Sequence, residues 1–208
     1  MVAKDFFTAV YGNSSGHAVI VLPNYDNKPT NDFWFQYPEQ LDAMVALVEE
    51  NKTGSVWFSP NLFSSESRTK QASKTLNVAA ADADICEPEN FRIQPSIVVE
   101  TSPGRYQTYW LLDDSNVVAK VNRRIAQVHK EDGCDIAFVN QAKLMRVPGT
   151  SNHKHPGAIT VLSAFDHASF ALQDIEKLYP ESEVPDAVVG DFENAPMPDD
   201  LDAYIKTS

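Results

Sequence analysis

Cysteine is scarce in this 208-residue chain. Cys86 and Cys134 are too few for a disulfide framework or a four-cysteine zinc knuckle, so zinc is not expected. Long hydrophobic runs are also lacking: each apolar stretch is a handful of residues, and none can span a bilayer. The opening MVAKDFFTAVYGNSSGHAVIVLP has no apolar core behind basic residues, which argues against a secretory signal. A cytoplasmic protein with no membrane partner is the expectation. Basic residues are outnumbered, 17 against 29, for a formal net charge of −12. With 43% hydrophobic and 22% charged residues, the composition is that of an ordinary globular domain with a core of fair size.

The negative charge is not spread evenly. From Gln173 to the end there are 10 acidic and 2 basic residues, leaving a net of only −4 for the first 172. Between Ile136 and Phe165 there is no acid at all, while Lys143, Arg146 and Lys154 are present. A local positive face is what phosphate contacts require, and whole-chain charge does not veto it. The expected organisation is therefore a catalytic or binding domain over 1–172. An acidic helix end and tail over 173–208 would serve as a linker to another module or an interaction segment. The polar stretch FSSESRTKQASKT (63–75) reads as a solvated loop whose Arg68, Lys70 and Lys74, with Lys143, are candidate nucleic-acid contacts.

Three segments carry helical periodicity. In PEQLDAMVALVEEN, Leu41, Met44, Val45 and Val48 share a face, with Pro38 in the first turn and Gly54 past the end. In SNVVAKVNRRIAQVHKEDG, Ser115 can cap, Val118, Val121, Ile125 and Val128 form the stripe, and Gly133 stops it. In DHASFALQDIEKLYP, Asp166 can cap and Pro180 terminates. Short β-like runs lie between them: HAVIVL (17–22), SVWF (55–58), LNVAAADADI (76–85), SIVVE (96–100), YQTYWLL (106–112) and AITVL (159–163). Strands alternating with a few helices predict an α+β fold with helices on one face of a sheet.

Three constellations could carry chemistry. Asp82 and Asp84 end a small apolar strand on one face, with stems about 6.6 Å apart, suited to hard divalent cations or simply to facing water. In SIVVETSPGRYQTYWLL, Pro103-Gly104 fits a type II turn flanked by Ser102, Arg105 and Gln107. Tyr109 and Trp110 in the same hairpin are either core or base-stacking residues. Finally, Arg146 and Lys154 bracket a Pro-Gly-Thr turn whose exposed amides would suit a polyphosphate. Asp135, in an apolar context, needs a partner there. The pair His153 and His155 encloses Lys154, which would repel a cation, so a His-x-His metal or relaxase site is set aside. His17, His129 and His167 read as structural.

In their order and wording, AADADICEPENF, PSIVVETSPGRYQTYWLL and DGCDIAFVNQAKLMRVPGTSNHK together resemble the archaeo-eukaryotic primase superfamily. The likeness is to the RepB-like primase-polymerase domain of phage and plasmid replication proteins, and covers roughly residues 55 to 160. The resemblance implies an RRM-like core of mixed or antiparallel sheet with flanking helices. It implies a DNA primase or polymerase that transfers nucleotides from nucleoside triphosphates on a single-stranded DNA template. Two Mg²⁺ or Mn²⁺ ions would be held by Asp82, Asp84 and Asp135. Ser102, Arg105 and Gln107 would contact the incoming nucleotide, and Arg146 and Lys154 its triphosphate. Gln107 replaces the superfamily's usual His, which removes a possible charge. The zinc elements of some branches have no counterpart, and a replicative helicase would act in cis or in trans. A non-catalytic single-strand-binding module that stacks bases on Tyr106, Tyr109 and Trp110, or a metal-dependent nuclease, are the competing readings.

Overall fold

A computed structural model describes residues 2–23, 31–74, 77–113, 118–136, 143–166 and 168–181. The expected cap Ser115, His167 and most of the acidic tail lie outside them. Two sheets organise the chain. The first has the order β2-β1-β3-β7, built from β1 (Gly16–Leu22), β2 (Asn31–Tyr37), β3 (Trp57–Phe58) and β7 (Met145–Arg146), all antiparallel. The second is centred on β6 (Arg105–Leu112), which pairs antiparallel with β4 (Val78–Asp84) on one side and β5 (Ile97–Ser102) on the other. Strand β10 (Val161–Phe165) extends it beyond β5, and β11 (Ser169–Phe170) adds a short parallel pairing with the end of β6. A two-stranded ribbon, β8 (Ser151–Asn152) with β9 (Ala158–Ile159), stands apart. The α+β expectation holds, with a mixed sheet.

Side-chain alternation along β4 divides the interior. Val78 and Ala80 point into one core with Ile97, Val99 and Tyr109, whereas Ala79, Ala81 and Ala83 point into a second with Trp110, Leu112 and Phe91. The helices are shared out between these cores. Helix α1 (Val2–Tyr11), which the sequence reading did not anticipate, buries Ala3, Phe6, Phe7 and Val10 at helical spacing in the first core. There Phe6, Phe7, Phe58 and Tyr109 meet edge-on or tilted, with centroid separations of 5.2–5.7 Å. Helix α2 (Leu41–Asn51) adds Met44 and Val48 to the same core; it begins after a turn at Pro38–Gln40 rather than at Pro38. Helix α3 (Val118–Val128) lays Val121 and Ile125 onto the second core, and α4 (Leu172–Leu178) adds Ile175, with Tyr179 just beyond. The hydrophobic core therefore runs past residue 172 to Tyr179.

Two expectations shift. The third helix does not start at Asp166: Asp166 Oδ1 instead accepts the N–H of Ala168 at 3.0 Å, and Ser169–Phe170 pair with β6 before the helix begins at Leu172. The 159–163 run is not one strand; Thr160 interrupts it by donating its N–H to Thr150 O at 2.8 Å. Replacing Phe58 by Ala removes the ring on which Phe6 and Phe7 pack. We expect a loss of about 3–5 kcal/mol, measured as a lowered midpoint in urea unfolding.

Candidate active site

The end of β4 is where regular pairing breaks down. Asp82 stands opposite Gln107, but Asp84 stands opposite Tyr106, so a bulge falls between the two acids. Asp84 has φ +45°, a left-handed conformation that Asp tolerates better than most residues. A bulge re-aims the side chain at a strand end, so simple alternation no longer fixes where Asp84 points. Its carboxylate pairs with Arg105 on the neighbouring hairpin. That hairpin has the expected tight turn, with Gly104 at φ +70° and Ser102 opposite Arg105.

The outer edge of β4 brings in the third acid. Asp135 donates its backbone N–H to Asp82 O at 2.9 Å, and the Cys134 thiol approaches the same oxygen at 3.4 Å. Gly133 makes this approach possible. It has φ +102°, and a Cβ there would lie 2.3 Å from Ile85 Cγ1. Asp135 and Asp84 thus both lie near enough to Asp82 for their charges to act on it. Burial, reinforced by the charges of Asp135 and Asp84, pushes the Asp82 carboxyl up to about 7, with Lys143 and Arg146 opposing. Lys143 therefore faces this carboxylate group; burial lowers its pKa while Asp135 and Asp82 hold it up.

Arg146 reaches the site from the other sheet. It pairs with Trp57 in β3, its guanidinium lies over the Trp57 ring at 5.2 Å, and Nη1 donates to Ser55 Oγ at 3.2 Å. Its backbone N–H donates to Gln107 Oε1 at 2.9 Å, joining the two sheets. Gln107 is only 6% exposed. The ribbon β8–β9 is anchored by Asn152 Nδ2 donating to Thr101 O at 2.8 Å, and Lys154 follows it on an exposed turn, its N–H bound by Asn152 Oδ1 at 3.1 Å. The turn amides expected to be open to a phosphate are used internally. Gly149 N–H donates to Thr160 O at 2.7 Å and Ser151 N–H to Lys52 O at 2.9 Å.

Sequence reasoning missed His155. Its pKa is lowered by burial and then by Arg105, Lys154 and Arg146, with Asp84 acting the other way, so it lies among the site's charges. The histidine pair is split, since His153 Nε2 meets Thr53 O at 3.0 Å. Ser55 and Trp57 were also missed; neither carries a local signal, because each acts on a residue about ninety positions away. Ser102 is buried and its Oγ has no hydrogen-bond partner among the described residues. The loop cations lie apart from the carboxylates. Arg68 Nε is held by Asp32 at 2.6 Å, Lys74 donates to Ser15 O, and Lys70 is exposed. Tyr109 and Trp110 are fully buried, which overturns their use as a base-stacking platform; Tyr106 is half-buried.

Residues 69–167 match the family model described as the RepB DNA-primase N-terminal domain. The fold is similar to the crystal structure of the catalytic domain of primase RepB' in complex with initiator DNA. That match has 18% identity, covers 85% of this chain and 91% of that one, and has a TM-score of 0.60. It is also similar to a crystal structure of primase RepB', of which the match covers 60%, at 18% identity over 85% of this chain with a TM-score of 0.59. The primase-polymerase domain of cyanophage S-2L is a third likeness, at 12% identity, with 86% of this chain and 97% of that one covered and a TM-score of 0.60. No curated protein sequence is matched. No described helix is long and apolar enough to cross a membrane.

A carboxylate with a folded pKa near 7 and an unfolded value near 3.8 binds its proton more tightly when folded. Its favourable contribution is complete below about pH 4 and is lost as pH rises through 7. Asp82→Asn removes the buried charge and keeps the shape. At pH 8 without divalent cations it should unfold at a higher urea concentration than the parent, by up to about 4 kcal/mol. At pH 4 the two should nearly coincide.

Proposed function

We propose that the chain carries a primase-polymerase domain of the archaeo-eukaryotic primase superfamily and is a DNA-templated nucleotidyltransferase that makes or extends primers in phage or plasmid replication, a reading supported by the family match over residues 69–167 and by the folds it resembles. The observation that carries this reading is the meeting, at one strand end, of Asp82, Asp84 and Asp135 with cations delivered from the other sheet and the adjoining ribbon. A hydrolytic nuclease needs the carboxylates but not a separate cationic wall for a triphosphate.

The donor set suits Mg²⁺ or Mn²⁺. Three carboxylates supply hard oxygen ligands, and a divalent cation would offset both the burial that chiefly raises the pKa of Asp82 and the repulsion from Asp135 and Asp84 that adds to it. Bound there, two such ions would supply Lewis acidity to the attacking 3′-hydroxyl and to the leaving pyrophosphate. The chain's own residues do the rest. Arg146, held over the Trp57 ring and tethered to Ser55, presents a pre-oriented fork to the triphosphate. Lys154 extends the same wall, with His155, held toward its neutral form, beside it, and Arg105 is shared between Asp84 and the nucleotide. Gln107 acts through Arg146, fixing the strand that carries it. Ser102 Oγ is a spare buried hydroxyl on the hairpin that faces the nucleotide. The polar loop with Arg68, Lys70 and Lys74, and Lys143, are assigned to template contact and to charge balance at the carboxylates respectively. A helicase partner would act downstream of this domain.

Incorporation of labelled nucleotides on single-stranded and primed DNA, with Mg²⁺ or Mn²⁺, tests the reading. Asp82→Ala and Asp84→Ala should each reduce incorporation by at least about 10²-fold without loss of folding; wild-type rates in either would sink the carboxylate assignment. Arg146→Ala should raise the nucleotide KM by roughly 10–100-fold, with binding of single-stranded DNA much less affected.

A further inference from the structure

Behind the carboxylates, on the far face of β4, lies a second group of ligand-type side chains. Cys86 sits in the turn after β4, its N–H donating to Ala83 O at 2.7 Å. His129 and Asp132 belong to the turn that ends α3. One ligand atom from each of Cys86, His129 and Asp132 lies within 4.8 Å of the other two. Tetrahedral zinc, with Zn–S of about 2.3 Å and Zn–N or Zn–O of about 2.0–2.2 Å, sets its ligand atoms roughly 3.4–3.6 Å apart. Little closure is needed. Cys86 is fully buried and His129 nearly so, while Asp132 is exposed, which leaves the group reachable from solvent.

We propose that Cys86, His129 and Asp132 form a zinc site, distinct from the carboxylate centre, that clasps the turn after β4 to the end of α3. A hydrogen-bonded His–Asp pair accounts for His129 Nδ1 and Asp132 Oδ2, which are 2.8 Å apart. It does not account for the soft sulfur set beside them, whose own hydrogen-bonding contact is a long 3.8 Å approach to Glu87 O. Thiolate and imidazole together select zinc over magnesium. On binding, the Cys86 S–H proton leaves to solvent, and the His129 ring proton moves from Nδ1 to Nε2 as Nδ1 takes the metal. The Tyr179 hydroxyl is placed for that change. It lies 3.1 Å from Nε2 and already accepts the N–H of Arg92 at 2.9 Å, so its oxygen can receive Nε2–H as well. Counting cysteines alone concealed this group, because only one of the two is a ligand.

The clasp would hold the two segments that deliver the acids, since Asp84 is two residues before Cys86 and Asp135 three after Asp132. The test is metal content and spectroscopy of the full chain, purified without chelators or a histidine tag. We expect an equimolar amount of zinc, and, after exchange for Co²⁺, a near-ultraviolet thiolate-to-metal charge-transfer band. The band should vanish in Cys86→Ser and persist in Cys134→Ser and Asp82→Asn. Asp132→Asn, on an exposed turn, should weaken Co²⁺ binding at least about tenfold with an unchanged circular dichroism spectrum. Chelation should lower the Tm by about 5 °C or more. A wild-type protein that shows no charge-transfer band with Co²⁺, or a band that survives Cys86→Ser, overturns the proposal. These readouts involve no nucleotide incorporation, so the polymerase reading and the zinc site stand or fall separately.

Discussion

Strand β4 is buried on both faces, and that constraint shapes everything around it. Its residues are small because aromatic rings crowd one face and α3 packs on the other: Val78 and Ala80 meet Tyr109, while Ala79, Ala81 and Ala83 meet Trp110 and the α3 stripe. Among the described residues its outer edge pairs with no strand, and two of its polar groups are answered from elsewhere. Asn122 of α3 accepts the Ala80 N–H at 2.9 Å, and Asp135 donates to Asp82 O. An edge covered in this way cannot recruit another strand. The cover itself delivers an acid, because the hydrogen bond that satisfies Asp82 O is made by the residue whose carboxylate completes the cluster.

The opposing charge arrives by a different route. Arg146 belongs to the first sheet through Trp57 and is tied to the second through Gln107. The seam between the sheets is therefore where anionic and cationic groups confront each other. Burial first, and the neighbouring Asp135 and Asp84 after it, raise the pKa of Asp82, and Lys143 and Arg146 offset part of that. The left-handed Asp84 and the bulge before it fit the same picture, since strained backbone at a strand end re-aims a side chain that regular pairing would misplace.

The group behind β4 belongs to the same architecture. Cys86 and Cys134 flank the acid-bearing segments, and both thiols are buried in the second core, where desolvation raises their pKa. Gly133 lets the two segments come together, because any side chain there would collide with Ile85.

What the sequence by itself determined was local. The alternation of VAAADAD placed β4 and assigned Val78 to Ala81 to the right faces, though not Asp84 beyond the bulge, and the Pro-Gly pair set the hairpin. The periodicity of α2 and α3 located Met44, Val48, Val121 and Ile125 in the core, and the spacing of the acids and the Arg-turn marked candidate elements of a site. Tertiary structure decided what those elements meet. Arg146 is held by Gln107, 39 residues away, and by Ser55, 91 away. Lys143 faces carboxylates rather than open surface, and His155, held toward its neutral form, lies beside the cations although its own neighbourhood marks only an unpromising metal pair. Turn chemistry and side-chain period act over a few residues and are written in them. Contacts across the seam depend on which faces two cores bring together, and no single stretch of the chain contains that information.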